Sequence, residues 1–206
     1  MIFVVGKTGM GKTKCIKEII RKKISIQPMY NVYHLDTKKR GDFTSADGMM
    51  VLSEHAPPPF TSGGHRMVWQ PAVDDIEEYS KFFTSILNAG LPAIVNVDEA
   101  KNMVFNGRIP RGLSILLAQG RLPGIWVIGG TQEVAQSPRQ MLSQASHIIC
   151  FSVINAYDEN MMLRYLRIHD RKTLGLKKHQ ILYLRPDIDD NARFMTGYDQ
   201  LLPLII

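Results

Sequence analysis

Residues 6–13 read GKTGMGKT, directly after the apolar run Ile2-Phe3-Val4-Val5 and directly before a helical pattern over 13–24. The eight residues satisfy G-x-x-x-x-G-K-[ST], with Gly6, Gly11, Lys12 and Thr13 in the fixed places. A glycine-rich turn between a strand and a helix turns backbone N–H groups toward an anion, and the helix dipole adds to the attraction. The stretch Gly6, Lys7, Thr8, Gly9, Met10, Gly11, Lys12, Thr13 and Lys14 is therefore expected to cradle the phosphates of ATP. Lys12 is expected to reach the β- and γ-phosphates, and Thr13 to offer its hydroxyl to Mg²⁺. The loop names a ligand and leaves the task open, because one fold carries many activities.

Working outward, Ile16, Ile19, Ile20 and Ile24 recur at helical spacing, while Lys14, Lys17 and Arg21 face elsewhere. Strands are expected at 2–5, 31–35, 66–70, 93–97, 125–130, 147–153 and 180–184. Asp74 and Asp75 offer caps for a helix whose apolar face is Ile76, Tyr79, Phe83, Ile86 and Leu87; Gly90 ends it. Residues 110–120 read as a helix with Leu113, Leu116 and Leu117 inward. Ser137-Pro138-Arg139-Gln140 has the form of a capping box opening a short helix, and Asn155 caps one more, to about Arg167. Residues 54–64 read as a surface loop from their Pro and Gly content. Strands alternating with helices predict an α/β class: a mostly parallel sheet with helices on both faces. Ligands bind beyond the carboxyl ends of such strands. Gly6, Asp36, Asp98 and Gln132 all follow expected strand ends, so they are placed on one edge.

Asp98-Glu99 closes the apolar strand AIVNV. Asp98 is expected to hold the Mg²⁺ shell, and Glu99 to take a proton from the attacking water. Gln132, after VIGGT, is placed to touch the γ-phosphate or that water. Phosphoryl transfer also calls for an added cation at the developing charge. Arg121, in the turn before the strand at 125, is the first candidate, supplied by a neighbouring copy; Arg108, Arg111 and Arg139 stand behind it. Asp36 heads DTKKRGDF and either orients water or metal, or ends a strand.

The chain has 206 residues, 45% hydrophobic and 21% charged, which suits one domain with a real core. The formal charge of +6 fits either a solvated surface or a partner rich in phosphate. Arg164, Arg167, Arg171, Lys172, Lys177 and Lys178 are the densest basic stretch, either a charged face or a contact to a phosphate backbone, with Lys38, Lys39 and Arg40 as a second group. Cys15 and Cys150, far apart, read as buried and reduced; no Cys/His spacing suits zinc. No apolar run approaches a membrane span, and Gly6 and Lys7 interrupt a signal-peptide reading.

These segments together, GKTGMGKT, HLDTKKRGDF, RMVWQP, AIVNVDEA and GRLPGIWVIGGTQEVAQSPRQMLSQASHIICFSV, resemble the FtsK–HerA superfamily of DNA-pumping ATPases. Compact members of this length resemble the genome-packaging ATPases of membrane-containing icosahedral viruses. The resemblance covers residues 1 to about 153 as a core, with 154–206 an extension of the same domain. It implies a RecA-like (ASCE) fold in a homo-oligomeric ring, six-membered, pulling double-stranded DNA without reading its sequence. It implies nucleotide binding by Gly11, Lys12 and Thr13, metal binding by Thr13 and Asp98, catalysis by Glu99 with Gln132 sensing, and Arg121 as the arginine finger in trans. It also implies capsid or vertex proteins as partners, and residence in the host cytoplasm and the virion. Glu133-Val134 stands where members often carry Arg-Pro.

Other readings stay open at the level of residues. A nucleotide or small-molecule kinase carries such a loop but usually lacks a Glu after the metal Asp. A GTPase would need [NT]-K-x-D, which is missing. A two-domain helicase needs more chain. A filamentous-phage assembly ATPase of Zot type, or a DNA-transfer coupling ATPase, would be expected to add a membrane segment.

Overall fold

The structure, a computed structural model, describes residues 1–39, 41–53, 55–72, 75–153 and 155–206. Arg40, Glu54 and the proposed cap Asp74 lie outside the described residues. The chain runs β1 (Ile2–Val5), α1 (Lys12–Ile26), β2 (Asn31–Leu35), β3 (Met50–Leu52), β4 (Arg66–Trp69), α2 (Ile76–Ala89), β5 (Ala93–Val97), α3 (Arg111–Gln119) and β6 (Ile125–Thr131). It continues as α4 (Arg139–Ser143), β7 (His147–Cys150), α5 (Ala156–Leu166), β8 (Ile181–Leu184), β9 (Arg193–Met195) and α6 (Tyr198–Ile205).

The described strands form one sheet in the order β3-β4-β2-β5-β6-β1-β7-β8-β9. Strands β1 to β7 are parallel; β8 and β9 add antiparallel at one side. The apolar runs predict this, since a strand covered on both faces has no polar side. The period of two divides each strand between two cores. Phe3 and Val5 face the core beneath α2, α3, α4 and α5, while Ile2 and Val4 face α1 and α6. Helices cover both faces, as the sequence predicts.

On the first face Tyr33, Trp69, Tyr79, Phe82 and Phe83 interlock, edge to face except for the tilted pair Trp69–Phe82, all fully buried. Truncating Phe83 there would cost about 3–5 kcal/mol. Asp75 caps α2 by accepting from the Glu77 amide at 2.9 Å, and Gly90 ends it in the left-handed region. Asn155 caps α5 as expected, accepting from the Asp158 amide. Cys15 and Cys150 are free and buried.

Two local expectations change, and three elements were not foreseen. Ser137 is not the cap of α4, which starts after Pro138 without a side-chain cap. The Ser137 hydroxyl instead lies 2.8 Å from both Thr131 Oγ1 and the Glu133 carbonyl, bracing the end of β6. The strand expected to reach Val153 stops at Cys150. Finally, β3, β9 and α6 had no strong sequence pattern. α6 contains Pro203 and lies against α1. Among the described residues no helix is long and apolar enough to cross a membrane.

Candidate active site

Gly6 ends β1 with φ 150°, and a Cβ there would stand 2.5 Å from Phe151 Cβ. The backbone must pass that close for the loop to leave the sheet between β6 and β7. Gly11, at φ 108°, ends the loop and begins α1. A Cβ on Gly11 would meet Tyr198 Oη at 2.6 Å and His179 Nδ1 at 2.7 Å. Gly11 brings no side chain to cap α1, and the first turn holds no acid. Its amide N–H groups and its positive dipole end are thus left for an anion.

Thr8, Gly9, Gly11, Lys12, Thr13 and Lys14 line a cleft of about 200 Å³ with Asp42, Asp98, Glu99 and Gln132. The structure therefore brings together the expected loop, both carboxylates and the glutamine. Gly6, Lys7 and Met10 shape the loop rather than line the cleft. The Gly6 and Lys7 carbonyls accept from Lys12 Nζ at 2.5 and 3.2 Å, so the ammonium folds back over its own loop. The Met10 carbonyl accepts from the His179 amide at 3.3 Å.

Asp98 and Glu99 are aimed by β5, whose neighbours are β2 and β6. The Asp98 amide donates to the Leu35 carbonyl at 3.1 Å. Burial, followed by the Asp42, Asp36 and Glu99 carboxylates, pushes the Asp98 carboxyl up to about 6, with Lys38 pulling the other way. Glu99 is buried; its Oε1 accepts from Thr131 Oγ1 and from the Gln132 amide, each at 3.0 Å. Its Oε2 accepts from Lys38 Nζ at 2.5 Å. Gln132 Oε1 accepts from Thr8 Oγ1 at 2.8 Å.

Among the described residues no group of three His, Cys, Asp or Glu could hold a metal unaided. Thr13 and Asp98 do share the cleft, and Asp98 is a buried carboxylate among carboxylates. That donor set fits Mg²⁺, which takes one or two protein oxygens and completes its shell with phosphate and water.

Asp36 is fully buried and turned inward, accepting from the Gly41 amide at 3.1 Å and Gln70 Nε2 at 2.9 Å. It does not line the cleft; it fastens the loop that does. Arg121 lies at the opposite edge, with Gly124, Trp126 and His147 around a separate cavity of about 630 Å³. The length of β6 separates it from Gln132, about 20 Å at 3.3 Å per residue, so it cannot serve its own cleft. Arg139 lines a third cavity with Lys101 and Gly107. Arg108 and Arg111 are exposed away from the cleft lining.

The basic stretch divides. Arg167 is spent internally, donating to the Asp189 carbonyl at 2.6 Å and the Pro186 carbonyl at 2.8 Å. Lys177 and Lys178 are exposed and directly precede His179, whose amide holds the phosphate loop. Sequence reasoning missed Asp42, His179 and Tyr198, and named Lys38 only as a contact to a phosphate backbone, whereas its ammonium lies on Glu99 Oε2. Asp42 alone had a signal, because it follows the DTKKRG turn after a strand end.

No family model matches the chain, and no curated protein matches it. Solved structures do. The genome packaging NTPase B204 from Sulfolobus turreted icosahedral virus 2, in complex with ATP-γS, is 14% identical with a TM-score of 0.76. That match covers 96% of this chain and 97% of that one. VirB4 of Thermoanaerobacter pseudethanolicus is 8% identical, with a TM-score of 0.66 over 90% of this chain and 86% of that one. The cytoplasmic domain of the Thermomonospora curvata Type VII secretion ATPase EccC is 12% identical, TM-score 0.69, over 95% of this chain but 25% of that one. The chain thus shares the α/β fold of these NTPase and ATPase structures over nearly its whole length.

Proposed function

We propose that the chain is an Mg²⁺-dependent ATPase that moves double-stranded DNA, as in the packaging of a viral genome. One observation carries the reading: Lys12, Thr13, Asp98, Glu99 and Gln132 line a single cleft at the mouth of α1. The likeness in fold to a packaging NTPase along nearly the full length of both chains supports the task.

The α1 N-terminus and Lys12 bind the phosphates. Thr13 and Asp98 would hold Mg²⁺, which supplies charge neutralisation when bound. Water attacks the γ-phosphorus and gives its proton to Glu99. The bond from the γ-phosphorus to the β–γ bridging oxygen breaks, and that oxygen leaves with ADP. Gln132 senses the γ-phosphate. Arg121 of a neighbouring copy supplies the remaining cation, which makes a ring, of six copies in this reading, the working unit. Duplex DNA passes through it and is gripped at phosphates, with vertex proteins of the virion as further partners in the host cytoplasm.

Glu99→Gln should still bind ATP and lose turnover by about two orders of magnitude. Duplex DNA of any sequence should stimulate wild-type turnover at low salt, with the stimulation fading as salt rises. Transfer of phosphate to a small acceptor, with no response to DNA, would replace the motor by a kinase.

A further inference from the structure

Glu99 has two oxygens and three donors on them. Oε1 is filled by the Thr131 hydroxyl and the Gln132 amide, both on the rigid end of β6. Oε2 is therefore the oxygen left to meet a water, and Lys38 Nζ covers it at 2.5 Å. The pair is enclosed, with side chains 19% and 3% exposed. A charge-assisted bond this short and this sheltered is not a loose surface pair. With it in place Glu99 is well aimed but blocked.

Lys38 is delivered by the loop after β2. That loop is tied at several points: Asp36 accepts from the Gly41 amide, the Lys39 amide returns to the Asp36 carbonyl at 3.3 Å, and Thr37 Oγ1 accepts from Asn102 Nδ2 at 2.8 Å. The same loop ends in Asp42, which reaches the nucleotide cleft. One short segment therefore carries a cation onto the base and an anion into the phosphate site. Phosphates entering the cleft repel Asp42, and the divalent cation with them attracts it. Mg·ATP therefore acts on the same segment that carries Lys38.

We infer that Lys38 is a positioning residue that restrains Glu99 until Mg·ATP, acting on Asp42, moves the loop and uncovers Oε2. The inference rests on the ATPase reading. It adds a gate to that reading, so that a proton acceptor stands open only when a nucleotide is present.

Two experiments test it. In the first, Lys38→Met removes the ammonium and keeps the stem, and steady-state ATP turnover is measured. The expected result is a rise in kcat of about fivefold with KM changed by less than about twofold, a pattern that loss of packing does not produce. Lys38→Arg, which keeps a cation within reach, should restore the low rate. A fall in kcat, or an unchanged one, overturns the restraint.

The second needs no variant, so misfolding cannot defeat it. Lysines of the wild-type chain are acylated with a limiting reagent, with and without Mg·ATPγS, and each site is quantified by mass spectrometry. Lys38 should label several-fold faster with Mg·ATPγS, while Lys81, 71% exposed, serves as the reference. Equal or slower labelling of Lys38 overturns the inference. The Mg·ATPγS shift in melting temperature is read on the same sample. If it is absent, the ATPase reading itself has failed; if present with static Lys38, only the gate has.

Discussion

Thr8 of the phosphate loop donates its hydroxyl to the side-chain carbonyl of Gln132, 124 residues away, at 2.8 Å. The bond spans the cleft that both residues line. A phosphate entering there must compete with it. Thr8→Ala should therefore bind ATP as tightly or tighter, by up to about tenfold, since an exposed neutral bond contributes about 0.5–1.5 kcal/mol. Gln132→Ala should instead lower kcat by about ten- to a hundredfold with little change in nucleotide affinity, because in the proposed reaction its amide acts near the γ-phosphate. Calorimetric binding and steady-state turnover on both variants check this. Equal losses of affinity would reverse the roles.

Asp98 should set function against stability. Burial holds its carboxyl at about 6 in the folded protein, above the ordinary aspartate value of 3.8. A raised pKa means that the contribution is fully present below about pH 4 and lost as pH rises through about 6. At pH 8 the nucleotide-free protein bears a penalty of about 1–3 kcal/mol from this one carboxylate. Asp98→Asn should then melt higher at pH 8 by several degrees, with no gain at pH 4. The same variant should lose Mg-dependent hydrolysis and the Mg·ATP-dependent rise in melting temperature. A variant that melts lower than wild type at pH 8 would show that Asp98 is not strained.

His34 should act in the opposite sense. It is fully buried, with Nδ1 2.6 Å from Asn96 Nδ2 and its ring against Phe43. Burial chiefly lowers its pKa to about 4, with Lys17 adding and Asp36 and Asp47 opposing. A depressed His pKa gives stability that is present above about pH 6.5 and lost as pH falls through about 4. His147, at the amino edge, is lowered to about 4 for the same main reason. Wild type should lose about 2–3 kcal/mol per such histidine on acidification. Chemical denaturation of His34→Gln between pH 6.5 and 4 should show a shallower decline than wild type. Parallel declines would remove His34 from the account.

Arg121 should act only across subunits, because its own cleft is at the far edge of the sheet. Arg121→Ala should bind ATP and fail to hydrolyse it. Mixed with Lys12→Ala, which lacks the ammonium proposed to hold the phosphates, it should recover part of the activity where an intact arginine meets an intact loop. Turnover per subunit should also rise with protein concentration. Full activity of a dilute monomer would remove the finger.

The parts of this site that were legible in the sequence share one property: each follows a strand that announces itself by its apolar run. Lys12, Thr13, Asp98 and Glu99 needed only that strand and a local motif, and the topology rule placed them on one edge. The role of Lys38 was unreadable because it depends on how a loop folds back over β5, a contact spanning 61 residues between Lys38 and Glu99; Asp42, on the same loop, left only the trace of a carboxylate after a strand end. Tyr198 and His179 were missed for the same reason. Tyr198 donates to the Gly11 carbonyl at 3.0 Å from a helix 187 residues away, and no local pattern encodes that. The fold was more legible than the site, since burial of β1, β5 and β7 leaves a continuous apolar signature, while the short edge strands β3 and β9 do not. The capping box at 137 misled because Ser137 found better partners at Thr131 and Glu133.

The position of β1 has a kinetic side. Among the described residues its strand neighbours are β6 and β7, so Ile2 pairs with Ile128 and His147 rather than with anything nearby. During synthesis β1 must wait for β6 before it has a ladder on one side, and for β7 before it has one on both. Closing loops of that length is what makes parallel sheets slow to assemble. Until then Ile2, Phe3, Val4 and Val5 are an unpaired apolar tetrapeptide on the nascent chain, a natural place for a chaperone to hold. Affinity for ATP should emerge abruptly during synthesis, at the moment β1 slots between its two late partners.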